Sequence, residues 1–456
     1  MSNSFLSRTP GSTTDAQRKQ FTISVWVKRS DLLTGSNHHE VLSAFATDQF
    51  GFRFQGDNKL DIFDYSVSGN NYPLRLVTNR LFRDTSAWYH IVLQVDTPNS
   101  TSSDRVKLWV NGVQETSFGT ANYPSQDYTT SWNKNGLHQI GSKAWGNSGN
   151  GSDMFPGYLA HVANVAGSVV APTSFGQTDS TSGIWKFKTP SCITWGNNGF
   201  HLKFENAGAM GTDSSGNSNT FTVNGNLKQS LDTPSNVYSV INQLTYSASQ
   251  VTIQNGALSK AGTPTSNAWR SFYGTLGASN GKYYFEMKVD QIENSDPNNF
   301  WVGIVDIEQM THTANNQQFY KQGRGYGYHA QSGSTGNNNQ TFSYGNSWTA
   351  GDIIGVAMDL DNAKMYFSKN GTWQNSGVPT SGSTGTGAFI IAANITYVPA
   401  FSQYYANEQF SLNFGNGFFG TTAITSAGSN GNGSLFEYDV PNGYYALNTK
   451  NINTYG

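Results

Sequence analysis

The chain of 456 residues has a single cysteine, Cys192. One thiol cannot form an internal disulfide, so folding in a reducing compartment is expected. Charge is scarce: Asp, Glu, Lys and Arg make up 12% of the residues, and the formal net charge is -2. A concentrated basic surface, which nucleic acid or anionic lipid would need, is therefore not expected. No apolar run approaches the roughly 20 residues that span a bilayer. The opening MSNSFLSRTPG has no apolar core of a signal peptide. The expectation is a protein made in the cytoplasm, with no membrane insertion and no nucleic-acid partner. Sustained helical periodicity is missing too, because Gly, Pro or Asn interrupts nearly every window of about 12 residues.

Aromatic residues are abundant at 14%, and 49 glycines sit among Asn-, Ser- and Thr-rich stretches. Plentiful core-forming aromatics exclude simple disorder, and the whole pattern reads as all-β with polar, uncharged loops. In FTISVWVKRS, Phe21, Ile23, Val25 and Val27 alternate with Thr22, Ser24, Trp26 and Lys28, as in a half-buried strand. VLSAFA, FGFRFQG, KLDIFDYS and YPLRLVTN are further strand candidates.

One plan is written twice. In WYHIVLQVDTPNSTSSDRVKLWVNG (88–112) and GDIIGVAMDLDNAKMYFSKNGTW (351–373), an apolar run reaches an Asp, breaks, and enters a second run ending in Asn-Gly. Asn-Gly favours a type I′ hairpin turn, which needs positive φ at both central residues. Two domains of one architecture are therefore expected. The boundaries are 1–175 for the first domain, 176–242 for a connector with short strands, 243–420 for the second domain and 421–456 for a C-terminal extension.

Residues 1 to about 175 resemble the laminin-G, or concanavalin-like, jelly roll through FTISVWVKRS, AWYHIVLQVD, DRVKLWVNG and FPGYLAHV. Residues 246 to 419 resemble a SPRY domain through GKYYFEMKV, WVGIVD, GYGYH, WTAGDIIGVAMDLDNAKMYFSKNG and FSLNFG. Both families imply two-sheet antiparallel sandwiches. SFGQTDSTSGIWKFK, WGNNGFHLKFEN, GTDSSGNSNTFTVNG, LDTPSNVYSVINQL and VPNGYYALNTKN are similar to connectors in virion structural proteins of tailed bacteriophages. That resemblance implies a non-enzymatic fibre, spike or capsid-decoration protein, located in the virion. It further implies trimeric assembly and other virion proteins as partners, with host-surface glycan as a further ligand. A lectin-like adhesin is the second reading, and a polysaccharide depolymerase the third.

Sites divide into those set aside and those retained. HHE at His38–Glu40 lacks the second histidine of a zincin helix, since Ser43 stands there, and is read as a solvated loop. DSSGNSN offers alternating oxygens from Asp213, Ser215, Asn217 and Asn219, but has no bidentate Glu and is read as Asx turns. Laminin-G-like domains often carry calcium at a sandwich edge, yet the corresponding acidic position falls near Ala160 and His161. Glu286 and Asp290 share a strand face and are read as a solvent-facing pair rather than a glycosidase pair. Cys192 is read as a small core residue. No catalytic residue, metal or cofactor is expected. Sugar recognition uses aromatic faces with neutral polar groups at their edges. The candidate contacts are Tyr320, Arg324, Trp373, Trp145, Tyr404 and Tyr405, and the SPRY resemblance puts the Tyr320 and Trp373 segments first.

Overall fold

Both Asn-Gly pairs form the turns that their residue types demand. Asn111 and Gly112 have φ of 50° and 77°, and Asn370 and Gly371 have 48° and 79°. Each asparagine also reaches across to the neighbouring strand: Asn111 Oδ1 accepts from the His90 N–H, and Asn370 Oδ1 from the Ile353 N–H, both at 2.8 Å. The paired runs are antiparallel neighbours, Tyr89–Asp96 with Val106–Val110 and Ile353–Asp359 with Lys364–Lys369. The shared plan is thus a shared piece of sheet.

The computed structural model describes residues 4–32, 35–145, 153–245, 251–261, 267–293, 299–310 and 318–456. The chain divides into two units, 1–229 and 230–456. Among the described residues, α-helix is confined to Asp15–Lys19 and Thr449–Tyr455, and no helix is long and apolar enough to cross a membrane.

The first unit packs an eight-stranded sheet on a six-stranded one. The eight-stranded sheet runs Phe118–Asn122, Asn71–Leu81, Lys59–Ser66, Gln49–Gln55, His38–Phe45, Leu137–Ile140, Phe5–Arg8, Thr222–Asn224. The six-stranded sheet runs Phe200–Leu202, Gly157–Ala166, Gln20–Arg29, Tyr89–Asp96, Val106–Val110, Val113–Glu115. Phe21, Ile23, Val25, Phe50, Phe52, Phe54, Ile91 and Leu93 fill the space between them. The stretch read as a connector is divided: Thr222–Asn224 pairs with Phe5–Arg8, while residues beyond Gln229 belong to the second unit.

Gln20–Arg29 is not half-buried. Ser24, Trp26 and Lys28 are buried on its outer face as well. The hairpin of Gly176–Thr178 and Trp185–Phe187 covers that face, with Trp185 stacked at 6.0 Å on His90, itself stacked at 4.6 Å on Trp26. A cover contributed by a later segment leaves no mark on the strand's own alternation. His38–Glu40 is likewise strand rather than solvated loop, and Glu40 is fully buried. Cys192 is exposed, at φ 56°, and not a core residue.

In the second unit a nine-stranded sheet includes the run Gln409–Asn413, Lys282–Gln291, Ile353–Asp359, Lys364–Lys369, Thr372–Trp373. A six-stranded sheet faces it: Arg270–Tyr273, Tyr397–Gln403, Phe300–Asp306, Gly325–His329, Ser334–Asn337, Gln340–Ser343. Phe285, Met287, Val302, Tyr328, Val356, Phe367, Phe401 and Phe410 form the core. The outer face of the nine-stranded sheet is closed by the C-terminal residues, where Tyr445–Ala446 adds a parallel partner to Lys282–Gln291. The 421–456 stretch is therefore part of this sandwich.

Candidate functional site

An aromatic ring serves as a binding platform when one face is open and its backbone is fixed. Tyr404 and Tyr405 have the fixed backbone, and each is half-buried rather than packed away. Their half-buried rings stand perpendicular, 4.9 Å apart, and half-buried Trp269 lies 5.5 Å from Tyr404. The fully buried Glu408 holds the loop from beneath. Its carboxylate accepts from the N–H groups of Tyr404 (3.1 Å), Tyr405 (2.9 Å) and Asn299 (3.2 Å). The buried Lys260 ammonium donates to the carbonyl oxygens of Ala406 (3.0 Å) and Glu408. Burial lowers the Lys260 pKa to about 7, against the attraction of Glu408, and raises that of Glu408. Both charged groups bond to backbone of the loop, whose own residues 403–407 carry no charge. Trp269 was not singled out from the sequence; its place beside the strand paired with Tyr397–Gln403 is a long-range fact.

The other candidates are placed differently. Tyr320 is buried and stacks on Trp301 at 3.8 Å, while His329 stacks on Trp301 at 4.4 Å. Gly327 and Gly336 make room for this stack. A Cβ at Gly336 would stand 2.6 Å from Tyr320 and 2.7 Å from Trp301. Glycines alternate in GRGYGYH so that the Phe319–Lys321 turn can lie directly on the sheet. Arg324 is engaged with Asp306 at 2.6 Å. Half-buried Trp373 packs edge-to-face on Tyr284 at 6.4 Å, on the outer face of the nine-stranded sheet. Tyr320 lies over the other sheet, so the structure does not bring the two together. In the first unit Trp145 is 48% exposed, against Phe45 at 5.4 Å and with the Lys143 ammonium 5.4 Å from its ring.

Residues 282–417 match the SPRY domain family, and residues 7–166 match the concanavalin A-like lectin/glucanases superfamily. The chain carries a concanavalin-like domain followed by a SPRY domain. Two curated proteins are similar over short segments. The dual specificity protein kinase splA of Dictyostelium discoideum is 32% identical over 20% of this chain. The E3 ubiquitin-protein ligase RKP of Arabidopsis thaliana is 36% identical over 17% of it. The chain spans only 4% and 6% of their respective lengths. Among solved structures, a human SPRY domain is 18% identical, with 36% of this chain and 94% of that chain covered, at a TM-score of 0.28. The SPRY domain of human HERC1 is 19% identical, with coverages of 36% and 91% and a TM-score of 0.27.

Several groups with the residue types of catalysis are engaged in the fold. In the SPRY domain Glu286 is fully buried, not solvent-facing as expected. It accepts from the N–H groups of Glu437 and Tyr438, both at 3.0 Å, from Asn413 Nδ2 at 3.1 Å and from the Tyr284 hydroxyl at 3.2 Å. Burial raises its pKa to about 7, and these four donors oppose the rise. Asp290, four residues on, is exposed on that strand.

In the concanavalin-like domain Asp61 is fully buried and held by Arg53 at 3.0 Å and Arg75 at 3.1 Å. Glu40 accepts one bond, from the Phe52 N–H at 3.1 Å, and burial raises its pKa to about 8. Ser24 Oγ lies 2.8 Å from His90 Nε2, the geometry of a nucleophile and its base. The Trp185 indole, which can only donate, points at His90 Nδ1 at 2.9 Å. The proton therefore sits on Nε2 and is donated to Ser24, so His90 cannot take the serine proton.

Asp213 is also occupied within the protein. It accepts from the N–H groups of His201, Ser215 and Asn219 and from the Ser215 hydroxyl, which is a turn lock. Among the described residues, no group of three or more His, Cys, Asp or Glu is placed to hold a metal.

Proposed function

We propose that this chain is a non-enzymatic structural protein of a tailed-phage particle, as a short fibre, spike or decoration. In this reading its two sandwiches serve assembly and attachment to the host surface. The virion part rests on the connector resemblance. The observation that carries the binding part is the uncharged Tyr404–Tyr405 loop beside Trp269, held by Glu408 and Lys260. Its partners would be other virion proteins and, at this loop, a neutral face of host glycan. Repetition of the domain on one particle would multiply weak contacts.

The test is recovery of the chain from purified particles, by mass spectrometry and immunogold labelling. Surface labelling is the expected result, and recovery solely from the soluble fraction overturns the virion reading. The same loop favours a second reading, in which adhesion to host glycan is the primary task. Saturable binding to host polysaccharide, lost on Tyr404→Ala without loss of folding, would support it. Release of reducing ends would instead establish a depolymerase.

A further inference from the structure

The six-stranded sheet of the SPRY domain ends in Gln340–Ser343, and all four residues are exposed. One side of this strand pairs with Ser334–Asn337 in unbroken register, from Ser334 opposite Ser343 to Asn337 opposite Gln340. Among the described residues no strand pairs with its other side. An open strand edge is a template for another strand unless charge, proline, a bulge or a cover blunts it. Two edges of the concanavalin-like domain are blunted in this way: Phe118–Asn122 pairs with a register break, and Val113–Glu115 carries Glu115 bound to Arg80. Residues 330–351 contain neither a charged residue nor a proline.

An apolar patch adjoins the edge. Phe342 is 47% exposed, with its ring 6.1 Å from Phe389, and Ile390 is 57% exposed. The neighbouring loop carries Val378, 43% exposed, and is tied to the end of the strand by the Tyr344 hydroxyl, which donates to the Gly387 carbonyl at 3.1 Å. Val378, Gly387, Phe389 and Ile390 fall within a second uncharged stretch, 370–407. Lys364, paired with Ile390, lays its stem at Gly385. Depletion of charge around exposed aromatic and aliphatic side chains is the composition of an interface centre.

We propose that Gln340–Ser343 is a homotypic interface, on which a second copy of this chain adds its own Gln340–Ser343 antiparallel. The occupant follows from symmetry and charge. An antiparallel edge is its own complement about a two-fold axis, each strand offering donors where the other offers acceptors. The stretches 330–351 and 370–407 bring no like charges together in such a pair and offer a foreign partner no charge to select, and the one cation named beside them, Lys364, has its ammonium at Gly385. Phe342 and Ile390 of both copies are buried together. The assembly is then even-numbered, unlike the trimer expected from the phage resemblance. The inference rests on the proposed assembly role only in naming this chain as one of its own partners.

The test is sedimentation of the full chain across a concentration series, beside Phe342→Lys, Phe342→Glu and an equimolar mixture of the two. Both side chains are exposed, and thermal melting checks that the variants fold. Expected are a wild-type dimer, association weakened at least about tenfold in each variant alone, and recovery in the mixture, where Lys faces Glu. A monomeric wild type, a trimer, or a dimer that ignores both variants overturns the pairing. Any of these in a chain still recovered from particles leaves the virion reading standing. A dimer absent from particles overturns that reading and supports the pairing.

Discussion

Both sandwiches bury a carboxylate on the outer face of a sheet, and they neutralise it by different means. Asp61 is held within its own sheet by Arg53 and Arg75, from the strands on either side. Glu286 has no basic partner among its bonds and is capped largely by backbone N–H groups from Glu437 and Tyr438, some 150 residues further along. The first arrangement is completed by local strand pairing. The second is complete only when the last segment has docked, so a single side chain joins the sheet to its cover. A buried carboxylate thus reports which part of each sandwich is closed by neighbouring strands and which by a segment from far along the chain.

Breaking each arrangement separately sharpens this comparison. The largest effect is expected from Glu286→Ala, which strands several buried donors and releases the C-terminal cover. A loss of about 3–5 kcal/mol should appear in the urea transition of the SPRY domain alone. Increased cleavage after residue 430 by a protease at native conditions would locate the loss. Asp61→Asn should cost the concanavalin-like domain about 3 kcal/mol, by leaving Arg53 and Arg75 without their anion, and should leave the C-terminal segment protected.

Glu40 makes the same point through pH. Its carboxyl has a folded pKa of about 8 against an ordinary 4.5, because burial disfavours the charge. The unfolded chain therefore gives up this proton first. The stabilising contribution is complete below pH 4.5 and is lost as pH rises through about 8. The difference in melting between the wild type and Glu40→Gln should show this decline between pH 5 and 9, since His39, His90, His138, His161 and His201, whose pKa values burial lowers, titrate alike in both. A smaller effect, about 1–3 kcal/mol, is expected for Gly336→Ala, whose methyl would collide with Tyr320 and Trp301. The smallest are Asn111→Ala and Asn370→Ala, about 1 kcal/mol each, every one confined to its own sandwich.

Much of the architecture was legible because it is local. Alternation marked Val106–Val110, and Asn-Gly marked both turns, where residue type and positive φ go together. What escaped was every cover laid on a sheet from far along the chain. The polar face of Gln20–Arg29, with Ser24 and Trp26, looks solvent-facing in alternation, and Glu286 does too. Both are buried by segments whose own sequences, around Trp185 and around Phe436, reveal nothing of where they dock. The candidate site divides along the same line. Tyr404 and Tyr405 announce themselves as adjacent aromatics in a neutral loop, whereas Trp269 joins them only through pairing of distant strands. Tyr320 also follows another aromatic, Phe319, but is consumed in a stack on Trp301, for which Gly327 and Gly336 make the room.

Each sandwich also ties its beginning to its end. Asn224 donates to the Ser7 hydroxyl at 2.9 Å in the first, and the Val237 N–H donates to the Thr449 hydroxyl at 3.0 Å in the second. A unit whose chain enters and leaves at one place can be spliced into a host polypeptide as a cassette, because the host needs to open a gap of only a few ångströms to receive it. Such units can be reordered, duplicated or exchanged without redesigning what surrounds them.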